Sequence, residues 1–124
     1  METYTVMYTA AVLLGIGAVG GVVMALIRFS GAPRPPTALA MIHGLLAAAG
    51  LTLLLYTWAA LGINSLAQAA TVVLMIAALG GGYINLRYHS QMQPLPIAWI
   101  LAHAGIAVVG FALLLVAISQ THHA

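Results

Sequence analysis

The chain has 124 residues, of which 64% are apolar, whereas three are basic and one is acidic. So few charges cannot cover a water-soluble domain of this size, and the mean hydropathy of +1.12 is typical of a protein embedded in lipid. Cysteine is absent, which excludes disulfides, thiolate-bound metals and iron–sulfur clusters.

Four apolar stretches predict four membrane-spanning helices, because about 20 helical residues cross a bilayer. These stretches cover residues 6–27, 37–61, 66–88 and 96–119. The first is too long for the apolar region of a secretory signal, which has about 7–15 residues. Short connections favour antiparallel hairpins in one bundle. We therefore predict an all-α membrane protein, a four-transmembrane-helix bundle, with residues 1–124 forming a single integral membrane domain.

The two halves of the chain repeat each other. Residues 10–55 laid on residues 70–115 without a gap give 17 identities in 46 positions, where this composition alone would give about 4 or 5. Pro36 aligns with Pro96, and His43 aligns with His103. The repeated unit is a helical hairpin, with repeat 1 at about 6–62 and repeat 2 at about 66–120. Two hairpins of the same orientation imply a pseudo-two-fold axis along the membrane normal.

His43 and His103 are the strongest site candidates. Each lies seven residues after its proline, about 10 Å into its helix and at the same depth as the other. An imidazole in hydrocarbon needs a partner. Two imidazoles related by a two-fold axis can bind the two opposite faces of a haem iron, whereas zinc requires three or four protein ligands. Gly50 and Gly110 follow two turns later on the same helix faces, so we assign them to the same cofactor-binding site.

The small residues on helices 1 and 3 can be interpreted in two ways. Helix 1 carries Gly17 and Gly21, and helix 3 carries Ala77 and Gly81 at the repeated positions. Small side chains let membrane helices pack closely, and they would also leave room for a flat macrocycle between the helices. The two roles are compatible.

All three arginines lie at one end of the predicted bundle. Arg28, Arg34 and Arg87 are at the end with the loops that join helices 1 and 2 and helices 3 and 4. The positive-inside rule places these loops in the cytoplasm and both termini outside. We also predict that Arg28 and Arg87 bind haem propionates, with simple marking of topology as the alternative. His89 is expected at the same boundary, as an interfacial residue or a further propionate contact.

With these features the chain resembles small four-helix b-type cytochromes of bacterial membranes and, loosely, those of the cytochrome b561 type. The resemblance rests on His43, His103, Gly50, Gly110 and the hairpin repeat. It implies one non-covalent haem b in the bacterial inner (plasma) membrane, with His43 and His103 as axial metal ligands. Two protein ligands leave no open iron position, which favours electron transfer with a quinone or a partner protein over an enzyme with its own substrate. Cytochromes of the b561 type have four ligand histidines, whereas this chain has two in its membrane segments, so one haem is expected.

Other functions remain open at this stage. One is a non-catalytic accessory subunit of a larger complex, whose histidines only form hydrogen bonds between helices. Another is a protein that carries or senses haem. A small multidrug antiporter would need a glutamate within the membrane, but the one acidic residue, Glu2, precedes the first helix. The expected partner is the lipid bilayer and not nucleic acid, and both a homo-oligomer and a subunit of a larger complex are compatible with the sequence.

Overall fold

The computed structural model describes residues 2–123, and all the regular structure in this range is helical. The helices are α1 (Thr3–Phe29), α2 (Thr37–Tyr56), α3 (Ser65–Ile84) and α4 (Ile97–His122). The predicted four-helix fold is confirmed. Each helix, with its terminal extension, is long and apolar enough to cross a membrane, which is compatible with an integral membrane protein.

The helix ends follow local sequence signals. Pro36 and Pro96 each immediately precede the first residue of a helix, so α4 begins one residue later than the predicted stretch 96–119. The side chain of Asn64 caps α3 by accepting a hydrogen bond from the backbone N–H of Ala67 at 2.8 Å. Gly62, with φ of +80°, ends the preceding segment in a conformation that favours glycine.

Two of the helices end in wider turns that the sequence pattern does not signal. α2 continues into a π-helical turn at Thr57–Leu61, and α3 continues into one at Asn85–His89. The second turn carries Asn85, Arg87 and His89, all at the end of the bundle with the 30–36 and 90–96 segments. We call this the loop end, and the opposite end, which holds both termini, the terminal end.

The helices pack as two hairpins. α1 packs closely on α2, and α3 packs closely on α4, while α1–α4 and α2–α3 contacts join the hairpins more loosely. α2 and α4 therefore lie diagonally across the bundle. The same contacts recur sixty residues apart: Gly50 faces Leu14 and Gly110 faces Leu74. The tandem repeat is thus a structural pseudo-symmetry.

The packed core occupies the terminal half of the bundle. Its buried apolar residues are Met7, Ala10, Ala11, Leu54, Ala67, Ala70, Leu74, Leu114, Ala117 and Ile118. All four helices contribute to it, and the side chains of Met7, Leu54 and Leu114 are fully buried. Most outward-facing side chains are apolar and exposed, as lipid contact requires. The two central histidines lie in the other half, beyond this core.

Candidate functional site

His43 and His103 lie next to each other inside the loop half of the bundle. Their ring centroids are 6.1 Å apart, and the ring planes are inclined at 84°. One ring comes from α2 and the other from α4, so the diagonal helices supply one imidazole each. The structure therefore brings together the two residues that the repeat singled out.

Each histidine ring is held by a carbonyl of its own hairpin. Nδ1 of His43 lies 2.7 Å from the carbonyl oxygen of Gly17, and Nδ1 of His103 lies 2.8 Å from that of Ala77. A carbonyl can only accept, so in both rings Nδ1 carries the proton and donates it. The neutral ring then keeps a lone pair on Nε2. Within residues 2–123, neither Nε2 has a hydrogen-bond partner.

Two glycines make room for the rings. A Cβ placed on Gly21 would lie 3.0 Å from Cε1 of His43, and one placed on Gly81 would lie 2.9 Å from Cε1 of His103. These distances are too short for ordinary carbon–carbon contact, so an alanine at either position would push the ring away. Gly21 and Gly81 are repeat mates, that is, residues at equivalent positions of the two repeats. Each lacks the side chain that would otherwise occupy the space of an imidazole ring.

Gly50 and Gly110, which the sequence assigned to the cofactor site, lie within the hairpin interfaces. A Cβ on Gly50 would lie 2.6 Å from Cγ of Leu14, and one on Gly110 would lie 2.8 Å from Cγ of Leu74. Both glycines are buried, and neither lines the cavity beside the histidines. Their position explains the repeated glycine by close helix packing.

A cavity of about 730 Å³ adjoins the two histidines on the side between α2 and α3. We call it the α2–α3 cavity. Its wall is mostly apolar and rich in small residues, and its polar side chains are His43, His103, Asn85 and His89. A mainly apolar wall with a few convergent polar groups is typical of a site for a small molecule or cofactor, and the volume is in the usual range of about 300–1,000 Å³.

His43 and His103 lie close enough together to bind one metal ion between them, with ring centroids 6.1 Å apart. The protonated Nδ1 atoms match the usual arrangement of ligand histidines, which donate their second N–H to a carbonyl or carboxylate. Ring spacing, tautomer and cavity thus fit a bis-histidine haem.

The arginines differ in their relation to the cavity. Nε of Arg28 donates to the carbonyl oxygen of Leu95 at 2.8 Å, and Leu95 is itself part of the cavity wall. The Nη groups of Arg28 make no hydrogen bond to residues 2–123. Arg87 is exposed, does not line the cavity, and lies 5.2 Å from the ring centre of Tyr88. Of the two predicted propionate ligands, Arg28 is the one beside the cavity.

His89 lies deeper than the sequence indicated. It is 6% exposed, lines the α2–α3 cavity, and its Nε2 is 3.0 Å from the carbonyl oxygen of Pro35. This contact joins the two loops, as do the Leu95 N–H bond to Pro33 at 3.1 Å and the Arg34 contact with Sδ of Met92 at 2.9 Å. These three non-covalent contacts therefore hold the two loop segments together at the loop end of the cavity.

Among residues 2–123, no three histidine, cysteine, aspartate or glutamate side chains form a group that could hold a metal ion. A site built from protein ligands alone needs three or four of them for zinc. The two imidazoles instead suit a metal whose remaining ligands come from a macrocycle.

Sequence reasoning missed two parts of this site. The carbonyls of Gly17 and Ala77 leave no side-chain signal, although each precedes its histidine by 26 residues and the spacing is repeated. The burial of His89 was also missed, because its repeat mate is Phe29 and offers no matching imidazole.

Comparisons with protein-family models, with curated proteins and with solved structures return no match for this chain.

Proposed function

We propose that this protein is a b-type membrane cytochrome that binds one haem between His43 and His103. The paired imidazoles carry the proposal: their Nδ1 atoms bond to backbone carbonyls, their Nε2 atoms have no partner within residues 2–123, and both residues line a cavity of about 730 Å³. If His43 and His103 only formed hydrogen bonds between packed helices, they would not need an adjoining cavity of this size.

The protein's own contribution is ligation and positioning. The Gly17 and Ala77 carbonyls fix the tautomer and orientation of the rings, and raise the basicity of the nitrogens that face the metal. Gly21 and Gly81 allow the rings to sit against α1 and α3. The apolar wall excludes water. Arg28, at the closed loop end, provides a cation beside the part of the cavity where propionates would lie.

When bound, the haem would supply a one-electron redox couple. If both imidazoles bound the iron, His43 and His103 would leave no position for oxygen or a substrate, so the expected role is electron transfer. The electron partner would be a quinone or a redox protein. The chain would be oriented in a bacterial inner membrane with its loop end in the cytoplasm, as the placement of Arg28, Arg34 and Arg87 favours.

The test is a reduced-minus-oxidised visible spectrum of the protein purified in detergent, together with the ratio of haem to chain. We expect sharp low-spin bands and one haem per chain. His43→Leu and His103→Leu should each abolish the low-spin spectrum while leaving the helical content intact. A colourless protein that takes up no added haem would overturn the proposal.

A second function has a specific observation in its favour. The bonds from His43 to Gly17 and from His103 to Ala77 join helices within each hairpin without any cofactor. Such bonds contribute about 0.6–2 kcal/mol in membrane proteins, so the histidines could serve assembly alone in an accessory subunit of a larger complex. In that case the leucine variants would lose stability, and the wild type would show no haem spectrum.

A further inference from the structure

The α2–α3 cavity crosses the pseudo-two-fold axis at the histidines, because its wall holds both Gly21 and Gly81, and it extends from there to one side only. On that side its wall takes Ala48, Leu51 and Gly82 from α2 and α3, whereas the equivalent residues of α4 and α1 do not line it. A symmetric bundle would have a matching opening between α1 and α4. The repeat mates show why the two sides differ.

The α1–α4 side carries bulkier residues at the corresponding positions. Val108 replaces Ala48, Val22 replaces Gly82 and Phe111 replaces Leu51. A Cβ on Gly15 of α1 would lie 3.5 Å from Cζ of Phe111, so the phenyl ring reaches across from α4 and packs over that glycine. Two pairs of equivalent residues differ in the opposite direction, with Leu45 and Met75 on the α2–α3 side where the α1–α4 side has Gly105 and Gly15.

The α2–α3 side is open towards the region that lipid would occupy. Ala48 and Gly82 are exposed cavity-wall residues, and the exposed side chains of Met41, Leu45 and Leu86 surround them. We call this opening the lateral mouth. At the loop end, by contrast, contacts such as His89 to Pro35 and Leu95 to Pro33 tie the two loops together.

We propose that haem enters and leaves the protein sideways, from the bilayer, through the lateral mouth between α2 and α3. This inference rests on the proposed function and adds the route by which the cofactor is exchanged. Haem is flat and apolar over most of its surface, with two carboxylates on one edge. The cavity has the same polarity, with an apolar mouth and wall and with Asn85 and His89 towards the loop end.

This route separates the two hairpins where their contact is loosest. α2 and α3 belong to different hairpins, so a small separation between them leaves the α1–α2 and α3–α4 interfaces intact. Movement at such a weakly packed interface is far less costly than opening a packed core. At the α1–α4 interface, Phe111 of α4 packs on Gly15 of α1.

The experiment exchanges residues between repeat mates. Ala48→Val and Gly82→Val place at the lateral mouth the valines that occupy the equivalent positions, Val108 and Val22, on the α1–α4 side. The protein is loaded with haem in lipid nanodiscs, and haem release to excess apomyoglobin is followed by absorbance. We expect the double variant to slow release about tenfold with an unchanged low-spin spectrum. Ala49→Val is the matched control, since it also installs its repeat mate, Val109, but at a residue outside the cavity wall.

Two further variants make the test independent of any folding defect in the double variant. Phe111→Leu should speed release by opening the second side. Met92→Ala removes the Arg34 contact at the loop end, outside the cavity wall, and should leave the release rate near that of the wild type.

Loaded mouth variants that release haem at the wild-type rate would overturn the lateral route, most clearly if Met92→Ala released it faster. A wild-type protein that takes up no haem would overturn the proposed function and this route together, so the two failures are distinguishable.

Discussion

Gly81 lies directly against the ring of His103: a methyl group on its Cα would come within 2.9 Å of the ring carbon Cε1. Gly21 has the same relation to His43, at 3.0 Å. The position of each imidazole thus depends on the absence of a side chain on the neighbouring helix. Because the rings are also fixed by backbone carbonyls, an alanine at either glycine would shift the ring and strain that hydrogen bond.

Gly81→Ala is therefore expected to weaken haem binding with little effect on the fold. Displacing a ligand from its supporting hydrogen bond typically lowers metal affinity by about 10–100-fold, and we expect an effect of that order. Haem titration of the apoprotein in detergent measures it. Gly105→Ala is the control, since a Cβ there meets no atom within 4 Å. Equal haem affinities in Gly81→Ala and Gly105→Ala would show that Gly81 does not position the ring of His103.

Gly50→Ala should act on stability instead. Its Cβ would lie 2.6 Å from Leu14 Cγ and 3.1 Å from the carbonyl oxygen of Ala10, and overpacking of this kind costs about 1–3 kcal/mol. The measurement is denaturant unfolding in mixed micelles. The cost should shrink when Leu14→Ala makes room, giving a non-additive double-mutant cycle. If Gly50→Ala changed the haem spectrum and left the stability unaltered, Gly50 would belong to the cofactor site, as the sequence predicted.

Arg28→Gln and Arg87→Gln are expected to differ. Arg28 bonds to Leu95 in the cavity wall, whereas Arg87 is exposed and lies over Tyr88. A nearby cation stabilises the reduced haem, which has one more electron, so losing Arg28 should lower the midpoint potential by on the order of tens of millivolts. Redox titration of the visible bands measures this. A larger shift in Arg87→Gln than in Arg28→Gln would contradict the assignment.

His89→Ala is expected to loosen the loop end. The variant leaves the Pro35 carbonyl without its donor, and a lost hydrogen bond between buried groups costs about 1–3 kcal/mol. The backbone N–H of Leu95, which donates to Pro33, should then exchange faster with deuterium. His89→Gln retains a side-chain N–H donor and should restore most of the protection. Unchanged exchange in His89→Ala would show that the other loop contacts suffice.

The sequence predicted the helices well because membrane spans are long apolar runs, and here Pro36 and Pro96 mark two of their starts. The repeat also predicted that His43 and His103 would share a depth. The sequence pattern could not show that Gly50 contacts Leu14. That contact depends on how each helix is rotated about its own axis in the bundle. The sequence shows that Ala48 aligns with Val108 and Gly82 with Val22, but it does not show that Ala48 and Gly82 border a cavity, because this also depends on helix rotation and packing.

The central claim is that His43 and His103 bind the same iron from opposite sides. The most direct measurement uses His43→Gly and His103→Gly, each purified with haem, and follows the visible spectrum as free imidazole is added. Each variant should lose the low-spin spectrum and regain it as imidazole fills the vacated space, while the double variant should need two imidazoles per haem. A low-spin spectrum that survives in either single variant without imidazole would contradict the account.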